Sequence, residues 1–280
     1  MSIAWTRPDV TTTAYSLEQL LYLMRRLRDP EDGCPWDTKQ TFETIVPFTL
    51  EEVYEVVDTI ERKDFSHLRE ELGDLLFQVV FYSQLGEEQG LFDFNGIVSE
   101  LVAKLVSRHP HVFPLGTLDS RREAGIEPEE GSIKQNWESL KRNEREQKGH
   151  RSILDDIPHS LPSLTRAQKL QKRAANHGFD WPDSHGVMDK LTEEVDELQV
   201  ALSEGESEAI AEELGDVLFT VVNLCRHQKV DAETALRAAS RKFEKRFQFI
   251  ERSLNESGEN IDNCSLERLD ALWEKAKHSD

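Results

Sequence analysis

Two sets of four carboxylates recur along this chain at one spacing. Glu51-Glu52-Val53-Tyr54-Glu55 is followed, after fourteen residues, by Glu70-Glu71-Leu72-Gly73-Asp74. Glu193-Glu194-Val195-Asp196-Glu197 is followed, again after fourteen, by Glu212-Glu213-Leu214-Gly215-Asp216. Side chains three residues apart share a helix face, so each helix turns two carboxylates toward its neighbour. The inner residues are Glu52, Glu55, Glu71 and Asp74 in the first copy, and Glu194, Glu197, Glu213 and Asp216 in the second. One isolated acidic run is ordinarily a solvated face. Four carboxylates at a helix–helix seam would instead repel by several kcal/mol unless compensated. Hard cations such as Mg²⁺ or Mn²⁺ take oxygen ligands and leave positions for water and substrate phosphates. The gap is preserved although Val56–Arg69 and Leu198–Ala211 otherwise differ, and that points to a divalent-metal site.

Basic and aromatic residues follow in the same order. Lys242 and Arg246 lie one helical turn apart, 26 residues after Asp216; Lys104 and Arg108 match them 30 residues after Asp74. Such pairs neutralise phosphate oxygens that a metal leaves uncovered. Trp273 precedes Lys277 by four residues, as Trp137 precedes Lys141. This spacing puts an aromatic face and a charge on one side of a helix. Lys39 and Lys190 could touch phosphate or merely solvate a loop, with Lys190 favoured by sitting four residues before Glu194. His109-Pro110-His111 lacks partners for a transition-metal site, and Pro110 more simply ends a helix. No glycine cradle for phosphate and no nucleophile elbow occurs.

The elements that must position these groups read as helices. Leu50, Val53, Val56, Val57 and Ile60 fall on one arc at helical period, as do Leu68, Leu72, Leu75, Leu76 and Val79 on the next segment. Beyond Asp74 that second segment is apolar on nearly all sides through Phe77, Val80 and Phe81, so a dimer interface is expected there. Gly73 and Gly215 each cost on the order of 1 kcal/mol relative to Ala in a helix, and their recurrence suggests close helix–helix approach. Loops are expected over 114–132 and 142–164, with a further helix over Leu164–Ala175. Two domains result, 1–145 and 146–280. Each reads as a helix, a tryptophan-bearing loop (Gly33-Cys34-Pro35-Trp36-Asp37 or Gly178-Phe179-Asp180-Trp181), two acidic helices, a basic helix and a terminal helix. That is an internal duplication.

Composition agrees. Acidic residues number 54 against 34 basic ones among 280, a net charge of −20. A nucleic-acid backbone is thus an unsuitable partner, whereas a nucleotide carried by metal is not excluded. Three cysteines without a C-x-x-C pattern argue against a disulfide framework or a zinc cage. The start lacks the apolar run of a signal peptide, and no stretch reaches the roughly 18 apolar residues of a membrane span. A cytoplasmic location is expected.

The two acidic signatures, with Arg28–Asp37 and Leu154-Asp155-Asp156-Ile157-Pro158, make the chain resemble the MazG nucleoside triphosphate pyrophosphohydrolases in their two-domain bacterial form. The likeness runs from about Leu17 to Lys277. It implies an all-α fold of two tandem helical-bundle domains related to the dimeric dUTPases, dependence on Mg²⁺ with Mn²⁺ as a substitute, and a homodimer. It also implies hydrolysis of ribo- and deoxynucleoside triphosphates, ATP among them, to monophosphate and pyrophosphate. By resemblance the metal ligands are Glu194, Glu197, Glu213 and Asp216. Lys190, Glu193, Lys242, Arg246, Trp273 and Lys277 fall on the nucleotide side, and the C-terminal half is the catalytic one. The N-terminal half keeps its four inner carboxylates but has Phe48 where Lys190 stands and Pro110 just after Arg108. Rival readings are a narrow dUTPase-like pyrophosphatase and a non-catalytic helical scaffold. A di-iron bundle would require E-x-x-H ligands, which neither cluster has.

Overall fold

The computed structural model describes residues 14–123, 125, 131 and 152–278. Among these the chain is all-helical. It divides into two compact units, Met1–Arg142 and Asn143–Asp280.

Unit 1 contains α1 (Leu17–Leu27), α2 (Phe42–Glu61), α3 (Phe65–Glu88) and α4 (Phe94–Arg108). Polar caps start them. Ser16 and Gln19 form a reciprocal capping box on α1, Thr41 and Thr44 one on α2, and the side chains of Asp64 and Asp93 accept from the first turns of α3 and α4. The turn Arg62-Lys63-Asp64 folds α2 and α3 into an antiparallel pair. Met24, Ile45, Val80, Phe81 and Leu85 form the core, with Leu20, Phe42, Phe77 and Phe94 packed around it. Arg28 clasps the tryptophan loop to α3. Its guanidinium bonds Glu88 at 2.7 and 2.8 Å, donates to the carbonyls of Asp37 and Gln40, and lies 5.2 Å from the Phe81 ring centroid. α4 stops at Arg108, as Pro110 requires.

Unit 2 contains α5 (Ser163–Ala175), α6 (Ser184–Glu204), α7 (Ser207–His227), α8 (Ala232–Ser257) and α9 (Leu266–Lys277). Gly205 and Gly258 end α6 and α8 in the left-handed conformation that favours glycine. Ile250, Leu254 and Leu272 form a core between α8 and α9, joined by Ile261, Leu269 and Trp273. Here too a clasp holds the tryptophan loop, with its charges exchanged. Asp180 of the loop accepts from Arg226 and from His227 Nε2 (3.0 Å) at the end of α7, and Asn223 accepts the Arg226 Nε at 2.9 Å. Trp181 then lies against Gly186, where any Cβ would meet the indole at 2.4 Å.

Two expectations need correction. Gly73 and Gly215 make no close approach: a Cβ built on either meets nothing within 4 Å. Both sit on apolar faces that the chain itself leaves open, with Leu72 and Leu76 beside the first and Leu214 and Leu218 (57 % exposed) beside the second. The α2 arc through Leu50, Val53 and Ile60 is likewise exposed. α2 instead buries Ile45, because the core gathers at the α1 end of the α2–α3 pair, and at the turn end Thr59, whose hydroxyl donates to the carbonyls of Glu55 and Val56.

Candidate active site

In unit 2 the antiparallel α6–α7 pair brings the acidic residues together. One carboxylate oxygen from each of Glu194, Glu213 and Asp216 lies within 4.8 Å of the others. Glu194 is buried, at 6 % exposure, Glu213 half-buried and Asp216 exposed. Glu197 stands outside this triad yet is the strongest charge acting on Glu213. Loss of hydration, then the charges of Glu197, Asp216, Glu194 and Glu212, push the Glu213 carboxyl above its usual range. Like charges held this close favour either a proton or a cation. The donors are all carboxylate oxygens, so the set fits a hard divalent ion.

Lys190 supplies part of the missing positive charge. Its Nζ lies 2.7 Å from Glu193 Oε1 and 2.9 Å from Glu194 Oε1. Those two hydrogen bonds hold its ammonium above the usual lysine range.

Unit 1 repeats the convergence with a different membership. Glu52, Glu55 and Glu71 bring oxygens within 4.8 Å of one another, and Asp74 is now the outer residue. Loss of hydration raises Glu52, followed by the charges of Asp74, Glu55, Glu51 and Glu71. Glu71 is raised by lost hydration and then by Glu55, Asp74 and Glu70. Phe48 replaces the lysine one turn before Glu52 and meets Trp36 edge-on, with centroids 5.5 Å apart.

The remaining predicted residues of unit 2 form a second group. The Arg246 guanidinium lies 5.6 Å from the Trp273 ring, and Phe243 packs on the same indole at 5.3 Å. Lys277 pairs with Glu274 at 2.5 Å. Lys242 and Arg246 line one cavity on α8. Among the described residues, no hydrogen bond or ion pair joins Lys242, Trp273 or Lys277 to the acidic four. The structure groups the predicted residues as a carboxylate–lysine cluster and, around Trp273, a basic–aromatic cluster. In unit 1 Lys104 and Arg108 lie on α4, while Trp137 and Lys141 fall outside the described residues.

The order of two acidic helices and a basic helix, present in both units, is also what a family comparison detects. The MazG nucleotide pyrophosphohydrolase domain matches twice, at residues 40–113 and 183–249. The chain belongs to the MazG family. The nucleoside triphosphate pyrophosphohydrolase of Escherichia coli (strain K12) is 49 % identical over 266 residues, covering 94 % of this chain and 98 % of that protein. A MazG nucleoside triphosphate pyrophosphohydrolase/pyrophosphatase of Thermotoga maritima is 41 % identical over 263 residues, covering 94 % and 96 %. YabN of Bacillus subtilis is 38 % identical over 272 residues, but the match spans 53 % of its length. Each MazG match contains one complete acidic cluster and its basic pair, while Trp273 and Lys277 lie past the second match.

Residue patterns did not signal the two clasps. Arg28 and Asp180 were visible only as parts of longer motifs, and the exchange of charge between units leaves no shared sequence to find. The extra cations Arg241, Lys245 and Arg252 on α8 had a faint signal in their helical spacing.

Proposed function

We propose that this chain hydrolyses nucleoside triphosphates, ribo and deoxy, to the monophosphate and pyrophosphate in a Mg²⁺-dependent reaction carried by unit 2. Membership of the MazG family makes it a nucleotide pyrophosphohydrolase. The observation that carries the finer reading is the convergence of Glu194, Glu213 and Asp216 beside Lys190.

Glu194, Glu197, Glu213 and Asp216 would hold the metal, which when bound offsets triphosphate charge and favours ionisation of water. The chain's own groups do the rest. Water attacks the α-phosphorus, the bond from that phosphorus to the α–β bridging oxygen breaks, and pyrophosphate leaves with that oxygen. Glu194 is engaged by Lys190, so Glu197, which is exposed, is the better placed to orient the water and accept its proton. Lys242 and Arg246 stabilise equatorial phosphate oxygens, and Trp273 packs beside the base or ribose. No group in the cluster reads a base edge, so tolerance of several bases follows.

A second copy of the chain covers the open apolar faces around Leu214 and Leu218, giving a homodimer. No described helix is long and apolar enough to cross a membrane, and a cytoplasmic location suits the substrate. Unit 1, with Phe48 in place of the lysine, serves chiefly as framework. Release of pyrophosphate from ATP, GTP, dCTP and dUTP, with and without Mg²⁺, tests the reading. Comparable Mg²⁺-dependent rates on all four are expected, with loss of release in Glu213→Gln. Turnover of dUTP alone would replace the broad substrate range by a narrow one; unchanged release in Glu213→Gln would overturn the site.

A further inference from the structure

We infer that Trp181 is a positioning residue for Lys190: its indole fills the patch of α6 into which that side chain would fold back, and so turns the ammonium toward the carboxylate cluster. This rests on the reading above only in giving Lys190 a part in nucleotide binding. A Cβ built on Gly186 would meet Cδ1 of Trp181 at 2.4 Å and its Cγ and Nε1 at 3.2 Å. The indole therefore stands where residue 186 would carry a side chain, one helical turn before Lys190 on the same face. Helical side chains lean toward the N-terminus, so a lysine ordinarily covers the turn that precedes its own Cα. That turn is occupied here. A flexible four-carbon stem loses the backward course, and the Lys190 Nζ instead bonds Glu193 and Glu194, three and four residues further on.

The indole is fixed from both sides. Asp180 accepts from the backbone N–H of Trp181 at 2.9 Å, and the same carboxylate accepts from Arg226 and from His227 Nε2 at 3.0 Å. Pro182 confines Trp181 to extended backbone, and Asp183 caps α6 by accepting from the His185 N–H at 2.8 Å. The loop is thereby tied to the end of α7 and to the start of α6 around one ring. Unit 1 gives the counterpart without a lysine. Trp36 lies twelve residues before Phe48, whereas Trp181 lies nine before Lys190. The place of Gly186 holds Thr44, whose side chain completes the α2 capping box, and Trp36 packs on Phe48 itself. The loop tryptophan reaches this stretch of helix in both units. Only in unit 2 does a glycine seat it one turn early and leave the following turn to an ammonium.

Reductive methylation of the full chain, read residue by residue by mass spectrometry, reports the state of Lys190 without reference to turnover. An ammonium held by two carboxylates reacts slowly, because only the neutral amine is modified. Trp181→Ala should speed modification of Lys190 by about threefold or more, its stem being free to leave the carboxylates, and should leave the exposed Lys169 on α5 unchanged. Trp181→Phe should keep most of the protection. Gly186→Ala displaces the indole yet suits a helix better than glycine, so it should act like Trp181→Ala, and matched thermal melts would show that the variants fold. In kinetics, Trp181→Ala should raise KM for ATP about fivefold with kcat within about twofold. The same substitution should leave KM unchanged in Lys190→Ala protein, because an indole that acts through the lysine has nothing left to position. Equal modification of Lys190 in wild type and Trp181→Ala would overturn the proposal. So would additive KM increases in the double variant, which would make the indole a nucleotide contact in its own right. Faster modification with KM unchanged in both Trp181→Ala and Lys190→Ala would uphold the positioning and remove Lys190 from the nucleotide, so the two readings fail separately.

Discussion

Glu194 and Glu52 stand at equivalent places in two copies of one helical pair, yet they meet different neighbours. Glu194 is buried and bonded by the Lys190 ammonium at 2.9 Å. Glu52 is half-buried, and the residue one turn before it is Phe48, packed against Trp36. Duplication preserved the carboxylates in both units but kept a compensating lysine in one. A cluster with its own ammonium can take a metal and still present positive charge toward a triphosphate. The same carboxylates beside two aromatic rings can take a metal but offer phosphate nothing at that position. The difference lies in one side chain per unit, and it accounts for assigning turnover to unit 2.

The sharpest way to break this contrast is paired neutralisation. Glu213→Gln should lower pyrophosphate release by about a thousandfold, in line with loss of a group acting in the transition state. Glu71→Gln should leave kcat within about twofold; equal losses would mean that both units turn over. Next in size, Lys190→Ala should raise KM for ATP by about tenfold, the scale of one charge-assisted contact of about 1.4 kcal/mol. The reverse exchange, Phe48→Lys, should add nucleotide affinity to unit 1, measurable as binding retained in Glu213→Gln protein.

Metal should act on the folding of both units alike. A cation that binds only the folded acidic clusters stabilises them by mass action, so Mg²⁺ should raise the melting temperature by a few degrees and EDTA should remove the gain. The double variant Glu71→Gln with Glu213→Gln should melt higher than wild type without metal and gain little from Mg²⁺.

Acid provides the smallest and most discriminating signal. Glu52, Glu71 and Glu213 have carboxyls raised in the folded state. They bind protons more readily folded than unfolded, so without metal stability should rise as pH falls from about 7 toward about 5. The clasps respond in the opposite sense. The hydrogen bonds and charge of Arg226, with help from His227, lower Asp180. Burial alone would raise Glu88, but hydrogen bonds from Arg28 and Gln84 and the Arg28 charge leave it lowered. Their stabilisation is present above the unfolded carboxylate range, near pH 4, and is lost as pH falls through the lowered values. A melting curve against pH should therefore show a shallow maximum on the acidic side of neutrality. Asp180→Asn should cost about 2 kcal/mol at pH 7 and flatten the acid limb.

The sequence by itself determined more of the elements than of their company. Apolar period identified the acidic helices, Pro110 marked the end of one helix, and the fourteen-residue gap identified two acidic pairs on adjoining helices. That worked because each of these features is local: a helix turns 100° per residue whatever surrounds it. Several outcomes were settled only by the tertiary structure. It made Glu197 the outer carboxylate of one cluster and Asp74 that of the other, and bonded Lys190 to Glu194 rather than leaving it in a loop. It exchanged the charges of the two clasps, and it set Gly73 and Gly215 on open faces instead of at a tight crossing. It also gathered Arg241, Lys245 and Arg252 around one cavity with Lys242 and Arg246. Helical period tells which residues share a face, but hydration, repulsion and pairing depend on what another helix, distant in sequence, brings opposite that face.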